Sequence, residues 1–259
     1  MSTIIIGWIN RIDAAATQIT AGSQLIDAPA SAVANPHVVR RWHTASGVNA
    51  SWLLIDLGTP LACDVLVVLG GNLTDAATVR LRASDLDPAA LTDLLLDTGA
   101  IAAGVKTGYG AIHKAFASTA ARYWRIDLSD STLDHLRVGR VYLGPTWRPS
   151  SNLLYGWSIT PQDPSRLARS AGGQAWADEL PQRRLLQFTL SFMTEDEMYG
   201  AAFALARATG VTRDVLAIRD LDSAFVAEQS VYGLMQAAQP IVHEQFGIFT
   251  QRFSIEERL

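Results

Sequence analysis

The stretch PQRRLLQFTLSFMTEDEMYGAAFALARATG, residues 181–210, joins a strand pattern to the one clear helix pattern of the chain. In its first part apolar residues alternate with polar ones, which is the period of a strand that buries one face and exposes the other. The apolar members are Leu186, Phe188, Leu190 and Phe192. We expect this strand to organise the C-terminal half of the chain.

The helix pattern follows directly, over 195–209. Thr194 and Glu197 have the spacing of a capping box, and Gly210 readily adopts the left-handed conformation that ends a helix. One face of the pattern is apolar, through Met198, Ala202, Leu205 and Ala206. Such a face is typical of a helix that packs on a sheet, so we interpret the whole stretch as scaffold.

The composition limits the partners. The chain has 259 residues and is 49% hydrophobic, which is enough for one large β domain or two of ordinary size. Lys and Arg total 21 against 25 Asp and Glu, and the formal net charge is -4. This balance gives no general attraction for a phosphate backbone, so we expect no sequence-specific nucleic acid partner.

The single cysteine and the N-terminus bear on where the protein resides. Cys63 lies beside the apolar run 65–69, where a small buried thiol is expected and no disulfide within one chain is possible. The N-terminal residues MSTIIIGWIN lack a basic leader, and their apolar run is too short for a signal core or a membrane span. We expect a cytoplasmic product with no membrane span.

Strand patterns separated by turns fill the first half, without long helix patterns between them. They lie at 51–58, 64–69, 78–84, 121–128 and 136–143. Gly58, Thr59 and Pro60 predict a turn, which would make the first two patterns neighbouring strands. This arrangement is typical of an antiparallel sandwich.

Two domains are predicted. The boundary falls in 144–151, where two prolines and a glycine interrupt regular structure. The first domain, 1–144, includes an N-terminal strand that is able to pair with the second domain, 145–259, which carries the helix. Within the second domain, 161–173 is predicted to be a polar loop, and the segments 230–236 and 241–257 are predicted to form a hairpin or meander.

Three segments resemble strand signatures of discoidin-like jelly-roll domains, also known as coagulation-factor C-type domains. They are SWLLIDLG at 51–58, ARYWRIDL at 121–128 and LRVGRVYL at 136–143. The resemblance implies that the first domain is a discoidin-like jelly-roll β-sandwich. The expected fold class is mainly β.

A broader combination of segments resembles tail-module proteins of long-tailed bacteriophages. It consists of GNLTDAATVRLRASD at 71–85, GRVYLGPTWRPSSNLLYGW at 139–157, SAGGQAW at 170–176 and RRLLQFTLSFMTEDE at 183–197. In those proteins a discoidin-like domain precedes a β domain of the distal-tail or tail-tube type. The resemblance covers residues 20–257.

This second resemblance implies a structural part of the distal tail end. The implied partners are copies of the chain itself in a ring-type homo-oligomer, together with the tail tube, the tape measure and the baseplate hub. The implied location is the virion tail, assembled in the cytoplasm of the bacterial host. No catalytic residue comes with the family.

The C-terminal segment offers apolar side chains for an oligomer interface. The candidates are Phe246, Ile248, Phe249 and Phe253. The alternative is that these residues close the core of the second domain.

No pattern predicts an enzyme, a cofactor or a metal site. The run from Gly99 to Thr107 misses a phosphate loop by one residue, because Val105 separates Gly104 from Lys106. The histidines are scattered, and the capping box explains the carboxylates 195–197. Asp127, Asp130 and Asp134 lack the spacing of a calcium loop, which favours a solvated turn.

The alternative function is carbohydrate binding, for attachment to host-surface glycans, by loops of the discoidin-like domain. Trp42, His43 and Tyr109 are the candidate ligand-binding residues, because aromatic faces stack on the apolar faces of sugar rings. Trp42 lies only ten residues before Trp52 and is equally able to plug the end of the sandwich.

Overall fold

The computed structural model describes residues 3–86, 93–106, 110–237 and 239–259, which divide into two compact units. The sandwich unit comprises Ile9–Thr146 and Leu221–Glu228. The C-terminal unit comprises Met1–Trp8, Trp147–Asp220 and Gln229–Leu259. The chain therefore begins in the C-terminal unit and returns to it after the sandwich unit.

Short and long strands alternate in the first half of the chain. They are β1 (Ile5–Gly7), β2 (Gln18–Ala21), β3 (Trp42–His43), β4 (Ala50–Leu69), β5 (Thr78–Ser84), β6 (Leu96–Asp97), β7 (Ile101–Ala102), β8 (Ile112–Ser129), β9 (Arg137–Val138) and β10 (Arg140–Gly144). Short 3-10 helices span Arg11–Asp13 and Ala30–Ala34. The sandwich unit has the antiparallel order β10-β4-β8-β5-β6, with β2 on β4, β7 on β5 and β3 on β9.

The long strands β4 and β8 build both layers of the sandwich unit. The first part of β4 pairs with the end of β8 and with β2, and its last part pairs with the start of β8 and with β10. Side chains from both parts meet in one core, including Leu53, Ile55, Leu66 and Val68. The predicted mainly β fold class is confirmed: antiparallel strands make up most of the regular structure of the described residues.

The turn predicted at Gly58 is wrong. The strand continues through it as β4, and the pairing with β8 shifts register between Asp56 and Leu61. Gly58 has a positive φ of 79°, and its N–H donates to Asp56 Oδ1 at 2.8 Å. The glycine thus forms a bulge in one strand, and the two predicted strands pair with β8 and not with each other.

The second half contains further strands and one helical region. The strands are β11 (Ser158–Gln162), β12 (Arg166–Arg169), β13 (Ala175–Asp178), β14 (Arg183–Met193), β15 (Asp214–Ile218), β16 (Ser230–Met235), β17 (Val242–Gln245) and β18 (Ile248–Glu257). The helices are α1 (Glu195–Glu197), a π-helical turn (Met198–Ala202), α2 (Phe203–Thr209) and α3 (Val226–Gln229).

The sheet of the C-terminal unit has the order β1-β15-β16-β18-β14-β11, with β17 on β18. The N-terminal strand β1 thus pairs with β15, as the domain prediction allowed. The hairpin or meander predicted for 230–236 and 241–257 is confirmed, because β16 pairs with β18. A further pairing, of β17 with β18, lies within the second of these segments. Among the helices that the structure describes, none combines the length and the apolar character needed to cross a membrane.

The strand and helix of 181–210 are confirmed with one exception. Thr194 and Glu197 form the capping box, each side chain accepting the other residue's N–H at 3.3 Å. Phe192 was expected to be buried, but it is 60% exposed and has a φ of 59°. The pairing of β14 with β18 shifts between Leu190 and Met193, so a bulge turns Phe192 outward and Met193 inward.

The polar loop predicted at 161–173 is wrong in part. It contains β12, which pairs with β13 in a two-stranded hairpin of the C-terminal unit. The turn is closed by the Gly173 N–H, which donates to the Ser170 carbonyl at 2.9 Å. Every residue of both strands is exposed, so the hairpin buries no face and lacks the alternation that marks a strand in a sequence.

Candidate functional site

Strand β3 presents His43 at the surface of the sandwich unit. Trp42 lies opposite Val138 and His43 opposite Arg137 in the pairing of β3 with β9. Because successive residues of a strand point to opposite faces, Trp42 and Val138 enter the core while His43 and Arg137 stay partly exposed. Backbone hydrogen bonds of 3.0 and 3.2 Å join His43 to the turn 25–28.

Four basic side chains meet here, and we call them the His43 cluster: Arg41, His43, His135 and Arg137. The rings of His43 and His135 are stacked, with centroids 6.1 Å apart and planes 24° from parallel. The pKa of His43 is lowered from 6.5, first by burial and then by the charges of Arg137, His135 and Arg41. His43 is therefore neutral at pH 7, with one nitrogen able to donate and one able to accept a hydrogen bond.

The carboxylate next to the cluster is already engaged. Asp134 accepts hydrogen bonds from Ser46 Oγ at 2.9 Å and from the Gly47 N–H at 3.1 Å. It also lies 3.3 Å from His135 Nδ1. These contacts, with that of Ser46 the largest, lower the pKa of Asp134 and hold it as an anion that orients His135.

The Nε atoms of the two arginines of the cluster lack acceptors. The Nε atoms of Arg41 and Arg137 are buried and make no hydrogen bond within the described part of the chain. In contrast, the buried Arg140 of the same unit donates to Asp13 Oδ2 at 2.7 Å and to the Val33 carbonyl. A buried N–H without an acceptor costs about 1–3 kcal/mol, so a ligand rich in acceptor oxygens would stabilise this site.

The three residues predicted to bind a ligand differ in their exposure in the structure. Trp42 is fully buried, and its indole N–H donates to the Ser23 carbonyl at 2.9 Å. A ring without an exposed face cannot stack on a sugar, so the structure supports the alternative in which Trp42 closes the sandwich. His43 is accessible, and Tyr109 lies outside the described residues.

Gly110, the residue after Tyr109, is linked to the His43 cluster by hydrogen bonds through Gly71 and Asn72. The Gly71 N–H donates to the Gly110 carbonyl at 3.3 Å. The next residue, Asn72, accepts from the Arg137 N–H at 2.7 Å and donates to the His135 carbonyl at 2.8 Å. Tyr109 therefore remains a candidate to be tested together with His43.

A separate groove of about 400 Å³ lies on the exposed face of the large sheet of the sandwich unit. Its floor row consists of Ala50, Ser129 and Thr78, which stand side by side on β4, β8 and β5. All three side chains are small. They leave a depression beside the much larger residues that follow on the same strands.

The wall row of the groove consists of Trp52, Asp127 and Arg80, also side by side on the three strands. The next row adds Arg125 and Arg82. Asp127 accepts from Nη2 of Arg82 at 2.7 Å and from Nε of Arg125 at 3.0 Å. The groove thus combines one indole ring with a network of paired charges.

The predicted interface residues divide between core and surface of the C-terminal unit. Phe249 and Phe253 belong to its hydrophobic core, where Phe253 stacks on Phe188 at 5.2 Å between centroids. These two therefore follow the alternative, in which the segment closes the core. Ile248 is partly exposed and Phe246 is fully exposed at the tip of the β17–β18 hairpin.

The three aspartates that suggested a solvated turn serve separate purposes. Asp130 is fully buried and accepts four hydrogen bonds, from the N–H and the hydroxyl of Thr74 and of Thr132. The prediction of a solvated turn is thus wrong for Asp130, whose carboxylate joins two loops. Across the described residues there is no group of three or more His, Cys, Asp or Glu side chains placed to hold a metal ion.

Two further motifs have structural explanations. Lys106, from the near-miss phosphate loop, lies 3.2 Å from Glu228 and 4.1 Å above the ring centre of Phe225. Thr107 lies outside the described residues. Cys63 is fully buried as predicted, and burial raises the pKa of its thiol to about 12, which keeps it protonated.

Comparison with known proteins gives matches among solved structures alone. No family model and no curated protein matches the chain. Chitosan-binding module 1 of a chitosanase/glucanase from Paenibacillus sp. IK-5 is 16% identical, with a TM-score of 0.44 over 53% of this chain and 99% of that module. The Clostridium perfringens module CpGH89CBM32-5, solved with GalNAc-β-1,3-galactose, is 13% identical, with a TM-score of 0.44 over 54% of this chain and 100% of the module.

A third match is the lectin domain of lectinolysin, solved with Lewis B antigen. It is 14% identical, with a TM-score of 0.41 over 56% of this chain and 100% of that chain. At TM-scores this low, these similarities carry no argument about what the present chain binds. The sites described above therefore stand on their own geometry.

Most residues of the two sites were missed in the sequence. Arg41 and Arg137 are far apart in the chain and meet only because β3 pairs with β9. The alternation of Arg80 and Arg82 with apolar residues on β5 was visible and places both on the exposed face. What the sequence did not show is that Trp52 and Asp127 lie on the same face of the sheet.

Proposed function

We propose that the protein is a carbohydrate-binding protein and that the sandwich unit holds a glycan at the His43 cluster. The observation that carries this proposal is the pair of buried guanidinium Nε atoms, on Arg41 and Arg137, that lack acceptors within the described residues. A neutral imidazole, His43, adds a donor and an acceptor beside them. No catalytic step is part of the proposal.

Sugar hydroxyls match these groups. A pyranose carries several closely spaced oxygens that accept from guanidinium and imidazole N–H groups, and a planar guanidinium can donate to two of them at once. The contact of Asp134 with His135 steadies the imidazole pair before any ligand arrives. Such preorganisation lowers the entropy lost on binding.

The test is a glycan array probed with the full chain. The wild-type protein is expected to bind a defined set of glycans. Arg137→Gln and His43→Ala are expected to weaken that binding about 10-fold or more, since a hydrogen bond to a charged group contributes about 1.5–3 kcal/mol. Tyr109→Ala tests the remaining predicted residue in the same assay.

His37→Ala is the matched control, because His37 is an exposed histidine of the same unit outside the cluster. Circular dichroism confirms that each variant is folded. The proposal fails if the array shows no bound glycan. It also fails if Arg137→Gln and His43→Ala bind the same glycans as strongly as the His37→Ala control.

A second candidate is the structural role at the distal end of a phage tail, with copies of the chain in a ring contacting the tail tube, tape measure and baseplate hub. Exposed apolar side chains on two hairpins of the C-terminal unit favour it. Phe246 at the tip of β17–β18 is fully exposed, while Leu167 and Trp176 on β12–β13 are 78% and 66% exposed. Residues of this kind on projecting hairpins support self-assembly.

Analytical ultracentrifugation and negative-stain electron microscopy of the full chain test this role. Closed rings that dissociate in Phe246→Ser and Trp176→Ser would support it. Phe192→Ser serves as control, because Phe192 is a phenylalanine of the same unit that is 60% exposed and lies outside both hairpins. A chain that stays monomeric at its highest soluble concentration would count against the ring.

A further inference from the structure

The groove on the sandwich unit has no part in the proposed function. Its side chains stand on β4, β5 and β8, whereas those of the His43 cluster stand on or beside β3 and β9. Its volume of about 400 Å³ falls within the ~300–1,000 Å³ of small-molecule sites. The groove is therefore considered as a second site.

Each guanidinium group at the groove uses only some of its N–H donors for hydrogen bonds within the described residues. Arg80 uses Nε and Nη2 for Asp97, at 2.8 and 2.6 Å, and Arg82 uses the same two atoms for Asp127, at 3.2 and 2.7 Å. Arg125 uses only Nε for Asp127. Within the described part of the chain, Nη1 of each arginine makes no hydrogen bond, so all three can donate to a ligand.

The groove carries an excess of positive charge. Three guanidinium groups face two carboxylates, those of Asp97 and Asp127. The hydrogen bonds from Arg80 are the main reason that the pKa of Asp97 is lowered to about 2, so this carboxylate stays ionised at neutral pH. The remaining charge of one unit attracts an anion into a partly dehydrated site.

The groove also offers surfaces for a sugar ring. Trp52 is held from one side by Gly22, whose backbone leaves space for the indole, and by the Arg125 guanidinium 4.7 Å from its ring centre. Ala50 of the floor row suits the apolar face of a pyranose, while the hydroxyls of Ser129 and Thr78 suit its edge.

We propose that the groove binds one carboxylate-bearing sugar residue. Its carboxylate accepts from the guanidinium groups of Arg80 and Arg82, and its ring covers the floor row beside Trp52. Asp97 and Asp127 hold the two guanidinium groups in fixed positions, so the Nη1 group of each arginine can donate to the carboxylate. The site is independent of the His43 cluster.

Nuclear magnetic resonance of the nitrogen-15-labelled full chain tests this proposal. Glucuronate is the probe, and glucose is the uncharged control sugar. The readout is the Trp52 indole resonance, which is assigned by its absence in Trp52→Phe. Glucuronate is expected to shift this resonance in a saturable manner that glucose does not reproduce. Arg82→Gln is expected to weaken the affinity for glucuronate about 10-fold or more.

Matched variants separate charge from shape. Arg122→Gln removes another arginine of β8 that pairs with an aspartate, Asp56, outside the groove, and it is expected to leave glucuronate binding unchanged. Ala50→Leu fills the exposed floor row and is expected to abolish binding with every charge in place. Ala117→Leu is its control on an exposed position of β8.

Three results would overturn the proposal. Equal shifts with glucose would show that the carboxylate is not recognised. Glucuronate binding that persists in Ala50→Leu would place the ligand elsewhere. Binding that is lost in His43→Ala but intact in the groove variants would assign glucuronate to the His43 cluster. A glycan array without bound glycans would contradict the proposed function of the His43 cluster but not the proposal for the groove.

Discussion

The groove and the His43 cluster lie on the same unit and are both rich in arginine, yet their guanidinium groups are satisfied differently. In the groove, Arg80 and Arg82 each bond a carboxylate through two nitrogens. In the cluster, the buried Nε atoms of Arg41 and Arg137 have no acceptor within the described residues. Asp134, the carboxylate that contacts His135 of the cluster, is also bonded to the turn 46–47.

This difference separates two uses of the same side chain. A guanidinium that is paired on a sheet surface contributes to folding and recognises a ligand only with its spare nitrogens. A buried guanidinium Nε without an acceptor lowers stability, and a ligand that supplies the acceptor recovers the loss as affinity. The predictions below test whether the two sites respond with opposite signs.

The largest effect is expected for Asp127→Asn. Asp127 is the shared acceptor of Arg82 and Arg125, and its side chain is 27% exposed. Its loss leaves two partly buried guanidinium groups without their carboxylate, so the free energy of unfolding should fall by about 1–2 kcal/mol. Urea denaturation measures this change. Asp75→Asn, an exposed aspartate of the same unit, is the control, and equal losses in the two variants would contradict the prediction.

The opposite sign is expected for Arg137→Met. The change removes a buried Nε without an acceptor and relieves the repulsion among the basic groups around His43. The free energy of unfolding should therefore rise by about 0.5–1 kcal/mol while glycan binding is lost. Paired urea denaturation and glycan-array measurements check both parts. A variant that is less stable than wild type would show that Arg137 is already satisfied in the folded chain.

A smaller effect is expected from pH. The pKa of His43 is lowered in the folded chain, first by burial and then by Arg137, His135 and Arg41. Below pH about 6.5 the unfolded chain binds a proton at this position that the folded chain does not, so stability falls as the pH falls through that range. Between pH 7 and pH 5 the melting temperature of wild type should fall by more than that of His43→Gln. Parallel pH profiles would exclude His43 as the source.

The sequence predicted those parts of the fold that depend on local pattern. The alternation around Leu186 and the capping box at Thr194 involve neighbours in the chain, and both are present. The turn at Gly58 failed because a glycine with positive φ serves a bulge as well as it serves a reversal. The prediction that Phe192 is buried was wrong for the same reason, since a bulge changes the face of the sheet on which a residue lies.

The sites were less predictable, because strand pairing brings their residues together. Trp42 and Trp52 look alike in the sequence, yet the pairing of β3 with β9 buries one, while Trp52 stays on the exposed face of β4. The network around Asp127 depends on the register of β4, β5 and β8. A one-residue slip would move every side chain of the slipped strand to the other face, and the pattern within one strand does not show its register with its neighbours.

The smallest effect on stability, and the sharpest separation of the two sites, is expected for Gly22→Ala. A Cβ at this position would lie 2.7 Å from Trp52 Nε1 and 3.0 Å from Cδ1 and Cε2, so the indole must shift. Because the ring is partly exposed, it can shift at a small cost in free energy. The lower conformational entropy of the unfolded chain stabilises the variant by about 0.4–1 kcal/mol. The net change in unfolding free energy should therefore stay near zero. The Trp52 indole resonance and glucuronate binding should nevertheless change, while glycan binding at the His43 cluster stays as in wild type. Unchanged glucuronate affinity together with a displaced indole would show that Trp52 is no wall of the groove and that the paired arginines alone recognise the ligand.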